Sequence, residues 1–260
     1  MQKLTDDTLE EVFYKIPAKE RPKQLYYRGD KSIFEKRKIA IVGARRASKY
    51  SKTQAFLLAK QLSNSGFAVV SGAAEGIDAC AHEGALPSTI AVMPCGLNIC
   101  YPEANKNLIQ QIYQNSLAVS EYEADEKPRN YTFVHRNRLV VGMSEALVIA
   151  EADEKSGSMR SAEYALKYDI PLFVLAHRID ESLGTNRLLR QGVAKPIFGV
   201  EDFVKSLGGS VSIEEPTEEW ALFAKSSPSV ADFFARYGEK LYELELEGKV
   251  SIKNGVVKII

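Results

Sequence analysis

The chain has 260 residues, 45% of them hydrophobic and 26% charged, and its 34 basic and 34 acidic side chains leave no net charge. This length supports one large globular domain, alone or with a small appendage, and the strand-sized apolar runs exclude a membrane-spanning helix. The polar and acidic residues 1–7 exclude a signal or transit peptide, and three cysteines without paired spacing (Cys80, Cys95 and Cys100) predict free thiols in a reducing cytosol.

Six short runs rich in valine, isoleucine and alanine predict the strands of a sheet. They are Ile39–Val42, Phe67–Ser71, Thr89–Met93, Leu117–Ser120, Ala146–Ala150 and Leu172–Leu175. Most of these runs lack polar alternation, which is typical of parallel strands covered on both faces. The sequence therefore predicts an α/β fold with a Rossmann-like, doubly wound, mostly parallel sheet.

Two amphipathic stretches predict helices that cover this sheet. The first spans 49–66, ends at Gly66 and turns four apolar residues to one face: Ala55, Leu58, Ala59 and Leu62. The second spans 161–169 and is predicted to turn three residues inward: Ala162, Ala165 and Leu166. Right-handed crossovers between parallel strands place the loops that follow the strands at one edge of the sheet, where ligands bind.

The predicted domain organisation has four parts. A short N-terminal extension covers 1–35, a Rossmann-like domain that carries the candidate ligand loops 36–209, a linker 210–217 and a small winged-helix-like domain 218–260. In the last part, three short helices are predicted over 219–225, 230–237 and 240–246. They precede a hairpin over 249–260 whose Asn254-Gly255 pair favours a type I′ turn.

The first loop of interest is Gly43-Ala44-Arg45-Arg46-Ala47-Ser48, which lacks the second and third glycines of a dinucleotide-binding motif. Gly43 permits a tight turn, and Ser48 is predicted to cap a helix whose free N–H groups attract anions. Because Arg45 and Arg46 add charge to this positive helix end, a polyanion is favoured as the ligand. The alternative is a solvated arginine pair bonded to acidic side chains.

The loop after the second strand, residues 71–78, consists largely of small residues. It predicts backbone N–H groups open to an anion, with Ser71 and Gly72 as contacts. Asp78 and His82 stand four residues apart on one helical face, a spacing compatible with acid–base chemistry. We favour structural roles for both, a helix cap for Asp78 and a hydrogen bond for His82, because no nucleophile or metal cluster stands beside them.

The loop after the fifth strand leads into an alanine-rich helix through a sequence typical of a phosphate cradle. Its candidate DNA contacts are Lys155, Ser156, Gly157 and Ser158. Glu151 and Asp153 leave a metal site open, but two acids at a strand end are usually solvated, so no metal is predicted.

Residues 129–138 interleave aromatic side chains with arginines and amides, a pattern that suits single-stranded nucleic acid. Phe133 is predicted to stack on a base, Arg136 or Arg138 to hold the phosphate backbone, and Asn130 to contribute a polar contact. The alternatives are core packing for Phe133 and structural ion pairs for the two arginines.

In their order along the chain, several of these stretches resemble the bacterial DprA/Smf family (DNA-processing protein A). The resemblance runs from about residue 24 to residue 209 and rests on residues 39–48, Ser71-Gly72, Gly76-Ile77-Asp78, Ala81-His82, Tyr101-Pro102, Ser120-Glu121-Tyr122, Arg136-Asn137-Arg138 and Ser156-Gly157-Ser158. It implies a homodimeric protein that coats and protects incoming single-stranded DNA during natural transformation and loads the RecA recombinase. No catalytic residue, cofactor or membrane partner is expected.

Two features depart from the family's pattern. The N-terminal segment is shorter than the helical domain that many members carry there. Arg160-Ser161 stands where an apolar residue and a threonine are expected, which alters the predicted pocket without abolishing it.

The C-terminal segment carries the acidic charge of the chain. Residues 211–260 hold nine acids and six bases, so that this segment has a net charge of −3 and residues 1–210 have +3. The helix in the recognition position, 240–246, carries glutamates that phosphates would repel. We expect this domain to contact protein, in a partner or a second copy, rather than the major groove of duplex DNA.

The main rival is an enzyme, because the second and fifth loops are similar to those of nucleotide-cleaving phosphoribohydrolases. Glu163 would then be the catalytic acid. Against this, the proline-glycine-glycine loop of those enzymes is absent and Arg160 occupies the space that a ribose needs. A third possibility is a scaffold protein that neither binds DNA nor turns over nucleotides.

Overall fold

The computed structural model describes residues 2–210, 219–247 and 249–259, apart from the side chain of Lys225. The chain divides into two units, residues 1–211 and 212–260. The first unit carries a nine-stranded sheet, and the second carries a two-stranded sheet.

The strands of the first unit include all six that the sequence predicts. They are β1 (Gln2–Lys3), β2 (Tyr26–Gly29), β3 (Lys38–Val42), β4 (Ala68–Ser71), β5 (Thr89–Val92), β6 (Leu117–Ser120), β7 (Ala146–Ile149), β8 (Leu172–Leu175) and β9 (Lys195–Ile197). The predicted runs correspond to β3–β8, with bounds that agree to within one residue at either end.

The order of strands across the sheet is β1-β2-β6-β5-β4-β3-β7-β8-β9. All neighbours from β6 to β9 pair in parallel, whereas β1–β2 and β2–β6 pair antiparallel. From β3 the chain first proceeds to β6 in one direction and then returns to β7 on the other side of β3. The prediction of a doubly wound, mostly parallel sheet is confirmed, and its switch point lies between β3 and β7.

Helices connect the strands of the first unit. They are α1 (Asp6–Val12), α2 (Lys49–Asn64), α3 (Ile77–Ala85), α4 (Lys106–Asn115), α5 (Asn130–Gly142), α6 (Gly157–Lys167), α7 (Leu183–Arg190) and α8 (Val200–Ser206). Helix α2 ends where predicted, at Ser65 and a left-handed Gly66 with φ of 86°. The four residues that the sequence assigned to its inner face are all fully buried.

Alternate residues of the central strands enter two different cores. Ile39 and Ile41 pack with α2, α3 and α8, whereas Ala40 and Val42 pack with α5 and α6 on the opposite face. One expectation about α6 is wrong: Leu166 is 51% exposed, although Ala162 and Ala165 are buried. The helix begins at Gly157, four residues before the predicted start, and its buried face consists of Ser158, Ser161, Ala162 and Ala165, which leaves Leu166 beside that face.

Residues 2–35, predicted as a short extension, take part in the sheet. Strand β2 pairs with β6 in the register Tyr26↔Ser120, and β1 pairs with β2. Phe13, Ile16 and Leu25 are fully buried, so this segment contributes to the core of the unit. No helix among the described residues is both long and apolar enough to cross a bilayer.

The second unit contains α9 (Glu219–Lys225), α10 (Val230–Tyr237), α11 (Lys240–Leu246) and the hairpin β10 (Val250–Lys253) and β11 (Val256–Ile259). Asn254 and Gly255 have φ of 53° and 74°, the left-handed pair that a type I′ turn requires. The predicted winged-helix-like pattern of three helices and a hairpin is present. The predicted linker lies outside the described residues from residue 211 onwards.

Candidate nucleic-acid interface

The loops after β3, β4 and β7 meet α5 around one cavity of about 290 Å³ at the switch point of the sheet. Eight of the predicted DNA contacts line it: Gly43, Arg45, Gly72, Phe133, Arg136, Ser156, Gly157 and Ser158. These residues belong to four separate segments of the chain. We call this cavity the rim pocket.

Three backbone amides of the first two loops already donate hydrogen bonds to a carboxylate. Asp78 accepts a hydrogen bond from the Gly72 amide at 3.1 Å and further bonds from the amides of Ala74 and Gly43. Burial raises the pKa of Asp78, and the positive charge of Arg136 and the three amide hydrogen bonds oppose that shift. The prediction that these amides are open to a phosphate is therefore wrong, and so is the expectation that Asp78 caps its own helix.

Arg136 forms the floor of the rim pocket. Its side chain is buried, and its guanidinium donates to the carbonyl of Gly72 at 2.6 Å and to the carbonyl of Val92. Burial lowers the pKa of Arg136 to about 10, which leaves the group charged at neutral pH. A side chain at position 72 would collide with this guanidinium, so the close approach requires glycine. Arg136 thus combines a structural role with a positive charge beneath the pocket.

His82 has the structural role that the sequence analysis favoured. It is fully buried, with Nδ1 2.7 Å from Thr89 Oγ1 and Nε2 accepting from the Ala73 amide. Because Thr89 Oγ1 donates to the Val69 carbonyl, its oxygen accepts a hydrogen bond from Nδ1–H, which fixes the tautomer of a neutral imidazole. Burial and the charge of Arg136 lower the pKa of His82 to about 3. Such a group is not available for proton transfer in the pocket.

Arg45 and Phe133 form the outer wall of the rim pocket. The Arg45 guanidinium lies 5.5 Å from the centre of the Phe133 ring, which is half-buried and also packs against Tyr101 at 5.6 Å. Among the residues that the structure describes, no hydrogen bond or ion pair engages the Arg45 side chain. The alternative of an arginine bonded to an acid therefore fails for Arg45, whose charge is available to a ligand.

The third wall is the N-terminus of α6. Within the described part of the chain, the amides of Gly157 and Ser158 have no backbone acceptor. The hydroxyls of Ser156 and Ser161 are enclosed and lack hydrogen-bond partners, and both residues line the pocket. This helix end presents the N–H groups of Gly157 and Ser158 to the cavity, the kind of donor that a phosphate accepts from.

Three predicted DNA contacts do not line the rim pocket, and their side chains form hydrogen bonds or ion pairs within the protein. We therefore exclude them from the candidate interface. Ser48 caps α2, but its hydroxyl and amide both donate to Glu151, whose carboxylate occupies this helix end. Ser71 is buried and donates to the Ile41 carbonyl. Arg138 is buried in an ion pair with Glu121, 2.6 Å away, as the alternative interpretation held.

The other predicted contacts lie on the exposed surface beside the pocket. Arg46 directly follows Arg45, and Lys155 directly precedes Ser156, and both of those neighbours line the pocket. Asn130 is the first residue of α5. Glu163, the acid required by the enzyme hypothesis, is 62% exposed at its side chain, pairs with Arg160 at 2.8 Å and does not line the pocket. The described residues contain no cluster of three or more metal-ligating side chains.

Two residues at or beside the site were named in the sequence analysis only through the family resemblance, and not as DNA contacts. Tyr101 adds a second aromatic ring beside Phe133, in the region between β5 and β6. Ser161 lines the rim pocket, and its hydroxyl has no hydrogen-bond partner among the described residues. The signal for Tyr101 is its place after β5, because the segments that follow parallel strands gather at one edge of the sheet.

The comparisons with known proteins agree in pointing to one family. A sequence profile described as DNA recombination-mediator protein A matches residues 5–208. Protein Smf from Synechocystis is 34% identical over 80% of this chain, and DNA processing protein DprA from Streptococcus pneumoniae is 35% identical over 70%. The matches cover 54% and 65% of those proteins, so the chain spans about half to two thirds of its curated relatives.

Two solved structures share the fold. DNA processing protein A from Helicobacter pylori, a structure that concerns single-stranded DNA binding, has a TM-score of 0.76 and 44% identity. The match covers 79% of this chain and 94% of that one. The X-ray structure of the Streptococcus pneumoniae protein has a TM-score of 0.73 and 32% identity, with coverage of 78% and 73%.

Proposed function

The chain belongs to the DNA recombination-mediator protein A family, and from that membership and the rim pocket we propose that it binds single-stranded DNA without cleaving it. The observation that carries the proposal is the convergence of three features in one cavity. These are the guanidinium of Arg45, which no described acidic side chain pairs with, the half-buried ring of Phe133 and the N–H groups at the start of α6. Phosphate and an unstacked base together require this combination.

The same features favour a single strand over a duplex. A base can stack on Phe133 only when it is turned out of the base stack, which a single strand permits at little cost. We therefore expect fluorescence anisotropy to show that a short oligothymidylate binds at least about tenfold more tightly than a duplex of equal length. A scaffold protein, by contrast, would bind neither the oligothymidylate nor the duplex.

Replacing Arg45 with alanine should weaken this binding about fivefold at 0.1 M salt. Each phosphate neutralised on a single strand contributes about 0.7 to the slope of log affinity against log salt, so a parent slope near −2 should become flatter by roughly that amount. Sequence preference should not change, since a phosphate contact does not read bases. The measurement is a set of anisotropy titrations across salt concentrations.

The matched control is Lys60→Ala, which removes an equal charge from an exposed position on α2 outside the rim pocket. It should leave both affinity and slope unchanged. Arg45→Ala binding with the parent's affinity and slope would show that the strand does not use this loop.

We also propose that the bound strand is protected in the cytosol and passed to the RecA recombinase during natural transformation. The support is the family's character as recombination mediators, together with a pocket suited to the single strand on which a recombinase assembles. In a RecA strand-exchange assay, Arg45→Ala should lose the stimulation that the parent gives.

We propose that two copies of the chain associate through apolar side chains that lie beyond the carboxyl ends of β8 and β9. Ile179 and Phe198, which follow these adjacent strands, are each 88% exposed, and Leu183 is 50% exposed. Large apolar side chains gathered at one sheet edge are typical of an interaction surface. The double variant Ile179→Asp/Phe198→Asp should be monomeric by light scattering at concentrations where the parent is dimeric, with unchanged circular dichroism. A monomeric parent, or a variant that stays dimeric, would contradict this surface.

The winged-helix-like unit is proposed to contact protein and not the major groove. On α11, Tyr242 and Leu246 are 50% and 90% exposed, and they alternate with exposed glutamates. Phosphates would be repelled by these carboxylates, whereas a basic protein surface would meet both charge and apolar contacts. Duplex binding as tight as single-strand binding in the titration above would count against this assignment.

A further inference from the structure

A second basic groove lies on the other side of α5 from the rim pocket. This open groove of about 780 Å³ is lined by Glu121 and Tyr122 after β6, by the far faces of α5 and α6, and by five residues of the N-terminal segment: Lys19, Glu20, Arg21, Lys23 and Gln24. Helix α5 places Phe133 and Asn137 in the rim pocket and His135 and Arg138 in the groove. Helix α6 likewise begins in the rim pocket at Gly157 and ends in the groove at Lys167.

The groove has more positive charge than its acids neutralise. The two acidic residues that line the groove already form ion pairs, Glu121 with Arg138 at 2.6 Å and Glu20 with Lys167 at 2.7 Å. Three further cations, Lys19, Arg21 and Lys23, line the groove without an ion pair to any acid in the described part of the chain. Arg21 is fixed by hydrogen bonds to the carbonyls of Ile16 and Tyr14.

The groove also offers contacts to bases. The rings of His135 and Tyr164 line it, and the side chain of His135 is 52% exposed whereas Tyr164 is half-buried. Cations without an acidic partner beside aromatic rings form the kind of surface that binds an extended single strand.

We propose that the single strand continues from the rim pocket across α5 into this groove, so that one polynucleotide occupies both. The proposal rests on the proposed function and extends its binding site. A helix is about 10–12 Å across with its side chains, so a strand of only a few nucleotides fills the rim pocket and a longer one reaches the groove. Lys19 and Lys23 should therefore increase the affinity of the protein for a longer strand and not for a shorter one.

The test compares oligothymidylates of about two nucleotides, which are too short to cross the helix, and of about fifteen, a length within the range of known single-strand sites. The variant is Lys19→Gln/Lys23→Gln, because both lysines are exposed whereas Arg21 is bonded to the backbone. Affinity for the longer strand should fall about 5- to 25-fold at 0.1 M salt, and the salt slope should become flatter by up to about 1.4. Affinity for the shorter strand should not change.

The matched control, Lys31→Gln/Lys60→Gln, removes the same charge from exposed positions that line neither cavity. It should leave both affinities unchanged. Unchanged binding of the longer strand by Lys19→Gln/Lys23→Gln, or equal weakening for both lengths, would overturn the path through the groove while the proposed function stands. A parent that binds neither strand would overturn both.

Discussion

Replacing Phe133 with alanine should weaken oligothymidylate binding by about 5- to 150-fold, since stacking of a base on an aromatic ring contributes roughly 1–3 kcal/mol. The ring is half-buried between Arg45 and Tyr101 and lines the rim pocket. The slope of log affinity against log salt should not change, because stacking displaces few counterions. Anisotropy titrations across salt concentrations separate this result from the effect of removing Arg45.

Two further variants separate stacking from packing at this position. Phe133→Tyr keeps the ring and should bind nearly as tightly as the parent. Phe133→Leu keeps apolar volume without a ring and should bind as weakly as the alanine variant. If Phe133→Ala folds normally and binds with the parent's affinity, no base stacks there and the ring serves only to pack the loop.

Replacing Arg136 with methionine should lower the free energy of unfolding by about 3–5 kcal/mol. The substitution leaves Asp78 buried without its nearest positive charge and deprives the carbonyls of Gly72 and Val92 of their donor. Urea unfolding followed by circular dichroism measures the loss. The same substitution at exposed Arg46 is the control and should change stability by less than about 0.5 kcal/mol.

A double-variant cycle tests the cause of that loss. Asp78→Asn removes the buried negative charge, so the combination Asp78→Asn/Arg136→Met should be less destabilised than the sum of the two single variants. Additive losses would show that the charges of Asp78 and Arg136 do not stabilise each other. A loss below about 1 kcal/mol for Arg136→Met alone would contradict the structural role assigned to its buried guanidinium.

The central sheet could be predicted from sequence because its strands are apolar on both faces. Strands β3 to β8 each bury nearly every residue. They therefore appear in the sequence as short, continuous apolar runs. The strands at the sheet edges lack that signal: β2 is exposed or half-buried throughout, and β9 consists of Lys195, Pro196 and Ile197. Their pairing depends on partners distant in sequence, which periodicity does not reveal.

The site was predicted in outline because loops that follow parallel strands gather at one edge. The sequence identified the segments around Arg45, Phe133 and Ser156, and the structure brings all three to the rim pocket. The sequence did not show which backbone N–H groups of these loops already donate to a carboxylate of the protein. Asp78 accepts from amides of its own loop and from the Gly43 amide of the first loop, and Glu151, which follows β7, accepts from the start of α2. The contacts of Asp78 with Gly43 and of Glu151 with Ser48 follow from the packing of neighbouring strands.

Photo-cross-linking tests most directly where the strand lies. An oligothymidylate with 5-iodouracil at each position in turn is irradiated with the unaltered chain, and the attached residue is identified by mass spectrometry. We predict attachment to Phe133, which lines the rim pocket, or to Tyr101, whose ring packs against Phe133. Attachment confined to Tyr14, Tyr27 or Phe34, which line a cavity with residues at the starts of β3 and β7, would place the strand at the opposite edge of the sheet and contradict the account.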